Sequence, residues 1–335
     1  MSDALLQLGL FSFKAVILVL LLLLLLAGIL SLLGRGKDKL RGKMTIKNLN
    51  KKYSETADTL LEDVLPKKEF KQYLKKQKNI KKSTAAQRAQ KNIFVVHFQG
   101  DIRASAVTAL REEVTAILSI ATPKDEVVIC VESAGGMVHA YGLAAAQLSR
   151  IKQQKIPLTV IVDKVAASGG YLMACVANKI LAAPFAIIGS IGVIVQLPNF
   201  HRLLKEKNID FEQLTAGNYK RTITLFGHNT EEGREKLKEE IDEIHHLFKN
   251  AIQQNRPQID IEKVSTGEHW LGTQALELQL VDDLKTSDDY LFSQSKQANL
   301  FEIQYQIKKS LAEKLGIGAQ TLLKQAVLEE PIIPI

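Results

Sequence analysis

The segment Leu158–Tyr171, LTVIVDKVAASGGY, places a short apolar run shortly before a serine and two glycines. Residues Leu158–Val162 have the length and the unbroken hydrophobicity of a strand that is buried on both faces. Small residues follow, and Ser168 stands where the next helical stretch begins and runs to about Asn178. The segment therefore predicts a strand, a tight turn and a helix, with Ser168 at the junction.

Short apolar runs and helical segments also alternate on both sides of this segment. Further strands are predicted at Ile93–Phe98, Glu126–Val131, Lys179–Ala182 and Ile187–Val195. Met137–Ile151 has a helical pattern. Strands that alternate with helices favour an α/β fold with a largely parallel sheet.

Two small-residue turns follow predicted strands and could carry chemistry. A helix that begins at Ser168 offers free N–H groups and a partial positive charge, which suit an oxyanion beside a serine nucleophile. The alternative is that Ser168 only caps the helix. The turn at Gly135 and Gly136 would lie beside Ser168 if their strands were neighbours, or it could be a simple strand-to-helix turn. Neither turn has the spacing of a phosphate-binding loop.

A serine nucleophile needs a proton acceptor, and the histidines do not supply one by pattern. None of the seven has a recognisable triad setting or a metal-ligand spacing. A lysine can act as the base if burial lowers its pKa enough to leave a neutral amine. Because the chain has many lysines, the pattern alone does not select one.

Residues 15–33 form an uncharged, mostly apolar run. As a helix it would extend about 28 Å, close to the thickness of the hydrocarbon layer of a bilayer. A cleaved signal peptide would have a shorter apolar region followed by a small-residue cleavage site. We therefore predict an uncleaved single-pass anchor after an N-terminal segment at residues 1–14. The apolar stretch Ile180–Leu197 contains turn-forming residues and is predicted as strands instead.

The net charge of +8 is concentrated in one region. Residues 34–90 carry 17 Lys/Arg against 6 Asp/Glu, and the chain from residue 91 onward is slightly acidic. The main domain therefore has little compositional support for nucleic-acid binding. The basic residues that follow the anchor place the C-terminal bulk in the cytoplasm by the positive-inside tendency.

Residues 34–90 are predicted as a solvated connector with one short helix around Phe70, Tyr73 and Leu74. That helix could rest on anionic lipid headgroups or be an ordinary surface helix. A long helix is predicted from an Asn229 cap. Residues 301–335 are predicted as a helical tail after a main domain at residues 91–300.

The order of five motifs resembles the signal peptide peptidase A and SohB family of serine peptidases, most closely its SohB branch. The motifs lie within about residues 91–285. They are ESAGG at 132–136, AASGGYLMA at 166–174, IGSIGV at 188–193, AGNYKR at 216–221 and a stretch at 267–282.

The resemblance implies a role for each matching residue. Ser168 matches the nucleophile, Lys220 matches the general base, and Ser190 matches a serine that orients the lysine. The oxyanion hole is matched by Gly135, Gly136 and Gly169. Ala134 stands where the family usually has proline, which removes turn rigidity but no hydrogen-bond donor.

The resemblance also implies the architecture and setting of the protein. It implies a ClpP/crotonase-like fold of stacked ββα units, a homo-oligomer with sites completed across subunits, and no cofactor or metal. The anchor and the small residues around Ser168 suggest apolar peptide substrates, such as remnant signal peptides or membrane-protein fragments. The family acts near the outer face of the bacterial inner membrane, which conflicts with the charge-based orientation and leaves the side open.

Two rival functions use the same residues differently. A crotonase-like acyl-CoA enzyme would need the oxyanion amides but no Ser168–Lys220 pair. A non-catalytic membrane scaffold would need neither residue.

Overall fold

The computed structural model describes Lys14 and residues 17–19, 42–85 and 91–306. Two compact units are distinguished, one of residues 1–43 with 306–335 and one of residues 44–305. The predicted anchor at residues 15–33 lies almost entirely outside the described residues. Among the residues that are described, no helix is both long enough and apolar enough to cross a bilayer.

Ten strands are present in the described part of the chain. They are β1 (Lys43–Asn48), β2 (Asn92–Gly100), β3 (Glu126–Ser133), β4 (Leu158–Val162), β5 (Val165–Ala167), β6 (Lys179–Ala182), β7 (Ile187–Gly189), β8 (His269–Leu271), β9 (Asp283–Leu284) and β10 (Asn299–Gln306).

Ten helices connect or flank these strands within the same described ranges. They are α1 (Leu49–Val64), α2 (Lys67–Ala85), α3 (Val107–Leu118), α4 (Val138–Gln153), α5 (Gly169–Ala174), α6 (His201–Glu206), α7 (Glu231–Asn255), α8 (Ile261–Val264), α9 (Gly272–Glu277) and α10 (Ser287–Gln294).

The strands form one branched sheet with the order β1-β10-β2-β3-β4-β6-β9. Pairing is parallel from β10 through to β9, which confirms the predicted α/β fold with a largely parallel sheet. The branch leaves β3, whose early residues Val127–Cys130 pair with β4. Ser133, its last residue, pairs with Ala166 of β5. β5 continues to β7 in parallel, and β7 pairs with β8 antiparallel.

Side chains alternate between the two faces of the sheet, and each face has its own hydrophobic cluster. Val127 and Ile129 of β3 belong to the larger cluster, which includes residues of α3, α4 and α5. Val128 belongs to the smaller cluster, which Leu49 of α1 and Leu291 of α10 complete. Because both faces are covered, the central strands read in sequence as continuous apolar runs.

The predicted connector at residues 34–90 differs from the structure, since residues 43–85 form β1, α1 and α2. Leu49 is buried in the smaller cluster. The Asn50 side chain donates to the carbonyls of Ser295 and Ala298 and accepts from the amide of Leu300. These partners lie some 250 residues away in sequence, so no local pattern could predict them. The short helix predicted near Phe70 is part of α2.

Three predicted boundaries are corrected by hydrogen bonding and pairing. Residues 301–306 continue β10 instead of starting a helical tail, because Phe301 pairs with Phe94 of β2; the rest of that predicted tail lies outside the described residues. Thr230 caps α7, since the Asn229 side chain is bound to the backbone of Thr224. The helix after Ser168 ends at residue 174, earlier than predicted.

The two cysteines are free and buried, on β3 and just after α5. Burial raises the pKa of the Cys130 thiol and of the Cys175 thiol to about 12. Both therefore stay protonated at neutral pH and are poor nucleophiles.

Candidate active site

Ser168 lies between β5 and α5 in a backbone conformation that residues with a Cβ rarely adopt. Its φ is 52° and its ψ is −120°, a strained combination for a serine. Its amide donates to the carbonyl of Gly189 over 2.7 Å, and its carbonyl accepts from the amide of Leu172 over 3.0 Å. These two bonds hold the sharp turn that presents the side chain.

The Ser168 hydroxyl is not used to cap α5. Ser168 occupies the N-cap position, yet its side chain makes no capping hydrogen bond. Ser168 is therefore not a simple helix cap, because its hydroxyl does not bond the backbone of α5. It is partly exposed, so a substrate can reach it.

The glycine turn after β3 lies directly against Ser168. A Cβ placed on Gly135 would lie 2.7 Å from the Gly169 nitrogen and 2.7 Å from the Ser168 Cβ, and the φ of Gly135 is +89°. Only glycine fits both the space and the backbone conformation. The pairing of Ser133 with Ala166 produces this approach, because it aligns the ends of β3 and β5.

Two backbone amides at this junction are available as donors. Gly169 is the first residue of α5, where an N–H has no partner within the helix. Gly136 follows the turn and precedes Met137, whose own amide donates to the carbonyl of Ile102. Within the described residues, neither the Gly136 amide nor the Gly169 amide donates a backbone hydrogen bond. Amides in such positions can stabilise an oxyanion.

Ser190 lies on the same cavity wall as Ser168. It follows β7, has a φ of 50°, and donates its amide to the carbonyl of Glu268 over 2.7 Å. Since β7 pairs with β5, the ends of these two short strands bring Ser190 and Ser168 together. Both serines line one cavity with Gly135, Gly136 and Gly169.

Lys220 does not lie among these residues. It belongs to the stretch between β7 and α7, which we call the Lys220 segment (residues 193–229), and its side chain is exposed. Its amide donates to the carbonyl of Gly217, and it is not one of the residues that line the cavity. One copy of the chain thus assembles five of the six predicted site residues.

The cavity has a volume of about 660 Å³ and a mainly apolar lining. Its walls include Val138 of α4, Leu172 of α5 and Ile194 of the Lys220 segment, and Leu247 and Phe248 of α7 close another side. Such a site can accept apolar side chains of an extended ligand next to the Ser168 hydroxyl.

Several lining residues were not predicted as site residues from the sequence. Ile244 and Phe248 belong to an apolar stripe along α7. Such a stripe indicates a helix face packed on a core, but it does not reveal that this core borders the cavity. Ile102 and Tyr141 carry no sequence signal for the site, because the contacts that bring them there are with distant residues.

Comparison with known proteins identifies relatives along almost the whole chain. The family described as Peptidase family S49 N-terminal matches residues 3–148, and Peptidase family S49 matches residues 150–300. A relative from Haemophilus influenzae, named "Probable protease SohB", is 46% identical over 333 residues, which cover 96% of this chain and 94% of the relative. A "Probable protease SohB" from Buchnera aphidicola (subsp. Acyrthosiphon pisum) is 53% identical over 240 residues, covering 72% and 71%.

Among solved structures, the chain is similar to a point mutant of the "1510-N membrane-bound stomatin-specific protease", solved in complex with a substrate peptide. The TM-score is 0.43 at 14% identity, and the match covers 70% of this chain and 100% of that one.

Proposed function

Because the chain belongs to peptidase family S49, we propose that it is a serine endopeptidase in which Ser168 is the nucleophile and Lys220 the general base. Ser190 orients the lysine, and Gly135, Gly136 and Gly169 form the oxyanion hole. The observation that carries the proposal is the strained backbone of Ser168. Its hydroxyl makes no capping hydrogen bond, and the residue borders these glycines in an apolar cavity.

The reaction proceeds through an acyl-enzyme. The neutral Lys220 amine takes the Ser168 hydroxyl proton while Oγ attacks the scissile carbonyl carbon, and the carbonyl oxygen becomes an oxyanion held by backbone amides. The intermediate collapses, the C–N bond breaks, and the Lys220 ammonium protonates the leaving amine. Water then gives a proton to Lys220 as its oxygen attacks the acyl carbon. The bond between the acyl carbon and Oγ breaks, the Lys220 ammonium returns a proton to Oγ, and the acid is released.

We propose that Lys220 reaches Ser168 from a neighbouring copy in a homo-oligomer. No residue of the Lys220 segment, all of which is described, is buried in the single chain. Large apolar side chains are nevertheless frequent there, and Leu214 is 95% exposed. Exposed apolar surface of this kind is unfavourable in water and typical of an interface.

The substrates we propose are apolar peptides, such as remnant signal peptides or fragments of membrane proteins. The apolar walls of the cavity favour uncharged side chains next to the scissile bond, since burying a charge there would be costly. The apolar run at residues 15–33 would hold the enzyme at the bacterial inner membrane, where such peptides accumulate. We further propose that the main domain has the ClpP/crotonase-like architecture, with the branch at β5 and β7 contributing to its site.

Labelling with a fluorophosphonate tests the nucleophile and the base. We expect wild type to be labelled, Ser168→Ala to be unlabelled, and Lys220→Ala to be labelled at least 100-fold more slowly, about the loss expected without a general base. Lys207→Ala, which removes another exposed lysine of the same segment, should be labelled like wild type. Labelling that persists in Ser168→Ala would contradict the assigned nucleophile.

Mixing two inactive variants tests the shared site. If Ser168 and Lys220 come from different copies, a mixed oligomer of Ser168→Ala and Lys220→Ala subunits contains sites with both groups intact. Peptidase activity should then return after co-reconstitution in detergent. Activity that stays absent in verified mixed oligomers would place both groups in one subunit.

A further inference from the structure

Tyr141 on α4 is a fully buried tyrosine, 0% exposed, that contacts two separate parts of the proposed oxyanion hole. Its ring packs under the start of α5, and its hydroxyl is linked to the turn after β3. The five sequence motifs do not include it, and in the mechanism above it neither donates nor accepts a proton.

The Tyr141 ring lies directly beneath the backbone of Gly169. A Cβ on Gly169 would lie 2.4 Å from the Cγ of Tyr141 and 2.7 Å from its Cβ, so only glycine allows this approach. The ring is itself held in place by Phe98 of β2, in an edge-to-face contact with a centroid distance of 6.4 Å. The Tyr141 ring therefore helps to set the position and the direction of the Gly169 amide.

The Tyr141 hydroxyl joins a chain of hydrogen bonds that ends at the glycine turn. It donates to the carbonyl of Asp101 over 2.7 Å. Its single proton is used there, so the Ser133 hydroxyl, 2.6 Å away, must donate to the tyrosine oxygen. The Ser133 oxygen in turn accepts from the amide of Gly135 over 3.0 Å. Burial raises the pKa of the Tyr141 hydroxyl, which keeps its proton in place at neutral pH.

The backbone at Asp101 and Ile102 also holds the other end of the glycine turn. Asp101, which accepts from Tyr141, is followed by Ile102, whose carbonyl accepts from the amide of Met137 over 2.8 Å. Met137 comes directly after Gly136. The turn is thus anchored by hydrogen bonds on both sides of the Gly136 amide. Both anchors are linked to the Tyr141 hydroxyl, one through Ser133 and the other through Asp101.

We infer that Tyr141 is a positioning residue that holds the two amide donors of the oxyanion hole in register, the Gly169 amide through its ring and the Gly136 amide through Ser133 and Asp101. The inference rests on the proposed function, because the register of these amides matters only if an oxyanion forms between them. Misplaced donors weaken the transition state more than the bound substrate, since the charge develops only in the transition state.

Tyr141→Phe tests the role by removing the hydroxyl and keeping the ring. We expect kcat for a peptide substrate to fall by about 10- to 100-fold, less than the loss of a whole donor, with KM within about twofold. The Ki of a peptide aldehyde, which forms a tetrahedral adduct with a serine hydroxyl, should rise by a similar factor. Inhibition by a non-covalent product peptide should not change. Loss of stability alone would not produce this split.

Tyr290→Phe is the matched control. Tyr290 donates its hydroxyl to the buried carboxylate of Glu126 over 2.6 Å, so it also loses a buried hydrogen bond. Glu126 begins β3 and Ser133 ends it, about 23 Å apart along an extended strand. We expect a lower thermal midpoint for Tyr290→Phe with an unchanged kcat.

Ser133→Ala breaks the same hydrogen-bond chain at its next link. Because Ser133→Ala breaks a link that Tyr141→Phe has already broken, the double variant should lose about as much kcat as Tyr141→Phe alone, not the product of the two losses. Wild-type kcat in Tyr141→Phe, a kcat loss shared by Tyr290→Phe, or independent effects of the two links would each overturn the inference. Ser168→Ala is assayed alongside, and turnover that survives in it would overturn the proposed function as well.

Discussion

The proposed site is divided between two regions that differ in how they are built. Around Ser168, residues 166–177 are almost all buried and are held by the pairing of β5 with β3 and β7. The Lys220 segment has no buried residue and exposes several large apolar side chains. The chain can therefore fix the proposed nucleophile by internal packing, whereas the proposed base would be brought to it by contacts between copies.

This difference in packing decides how firmly each of the two regions is held in the folded chain. A strained residue such as Ser168 persists only where the surrounding packing over-determines it, because the strain costs about 1–3 kcal/mol. No residue of the Lys220 segment is buried within the chain, so the proposed oligomer would supply the packing that fixes its position. Coupling the base to assembly would keep isolated subunits inactive.

The largest expected effect comes from two glycines that share a positive φ but lie in the two different regions. Gly135→Ala would push a Cβ into Ser168 and Gly169, and we expect kcat to fall by about 10²–10³-fold, as for loss of an oxyanion donor. Gly217 has a φ of +95° with nothing within 4 Å of a Cβ. Gly217→Ala should therefore add backbone strain but no steric clash, and we expect kcat to fall by less than about tenfold.

Peptide turnover at saturating substrate separates these two variants, with thermal unfolding as the check on folding. Equal losses in both would mean that the Lys220 segment is packed as tightly in the assembled protein as the residues around Ser168.

An intermediate effect is expected from a charge placed on the exposed apolar surface. Leu214→Glu should weaken self-association by at least tenfold, since burying an unpaired charge at an interface costs about 2 kcal/mol or more. Activity should fall with it at low protein concentration, while the unfolding midpoint of the single chain stays the same. Light scattering coupled to size exclusion measures the association.

Ile120→Glu provides the control for this variant. Ile120 is 68% exposed two residues after the end of α3, outside the Lys220 segment. It should leave both assembly and turnover unchanged. If it dissociates the oligomer and Leu214→Glu does not, the interface lies on another surface.

The smallest expected effect concerns the stability of the core domain and its dependence on pH. Glu113 on α3 is buried and accepts from the amide of Tyr305, and burial raises its pKa from 4.5 to about 7. The folded state then binds the proton more tightly than the unfolded state. The stability that protonated Glu113 contributes is fully present below pH 4.5 and is progressively lost as the pH rises towards about 7.

Glu113→Gln keeps the hydrogen-bond acceptor and removes the titration. It should raise the unfolding midpoint at pH 8 by a few degrees, about 2–4 °C for each kcal/mol recovered, with little change at pH 4.5. A midpoint difference that does not depend on pH would contradict the role of this carboxyl. Peptidase activity should be the same in Glu113→Gln and wild type at both pH values, since Glu113 does not line the cavity.

The sequence predicts some elements well because their signal is local. Leu158–Val162 and Lys179–Ala182 are strands with the predicted boundaries, since a strand buried on both faces is an unbroken apolar run. The three-residue strands β5 and β7 are too short to show a period. Residues 43–85 are ordered partly by contacts with residues near Leu300, far along the chain, so their packing is invisible in the local pattern.

Ordered motifs, taken alone, determined the family, the α/β class and the residue types suited to acyl transfer, with Ser168 beside small neighbours. Tertiary structure decided which of them meet. The register that aligns Ser133 with Ala166, and the bond from the Ser168 amide to Gly189, bring the glycine turn, Ser168 and Ser190 to one cavity. The same folding leaves Lys220 outside that cavity. Such contacts join residues far apart in the chain, and their geometry depends on the packing of the whole sheet, which no local stretch of sequence encodes.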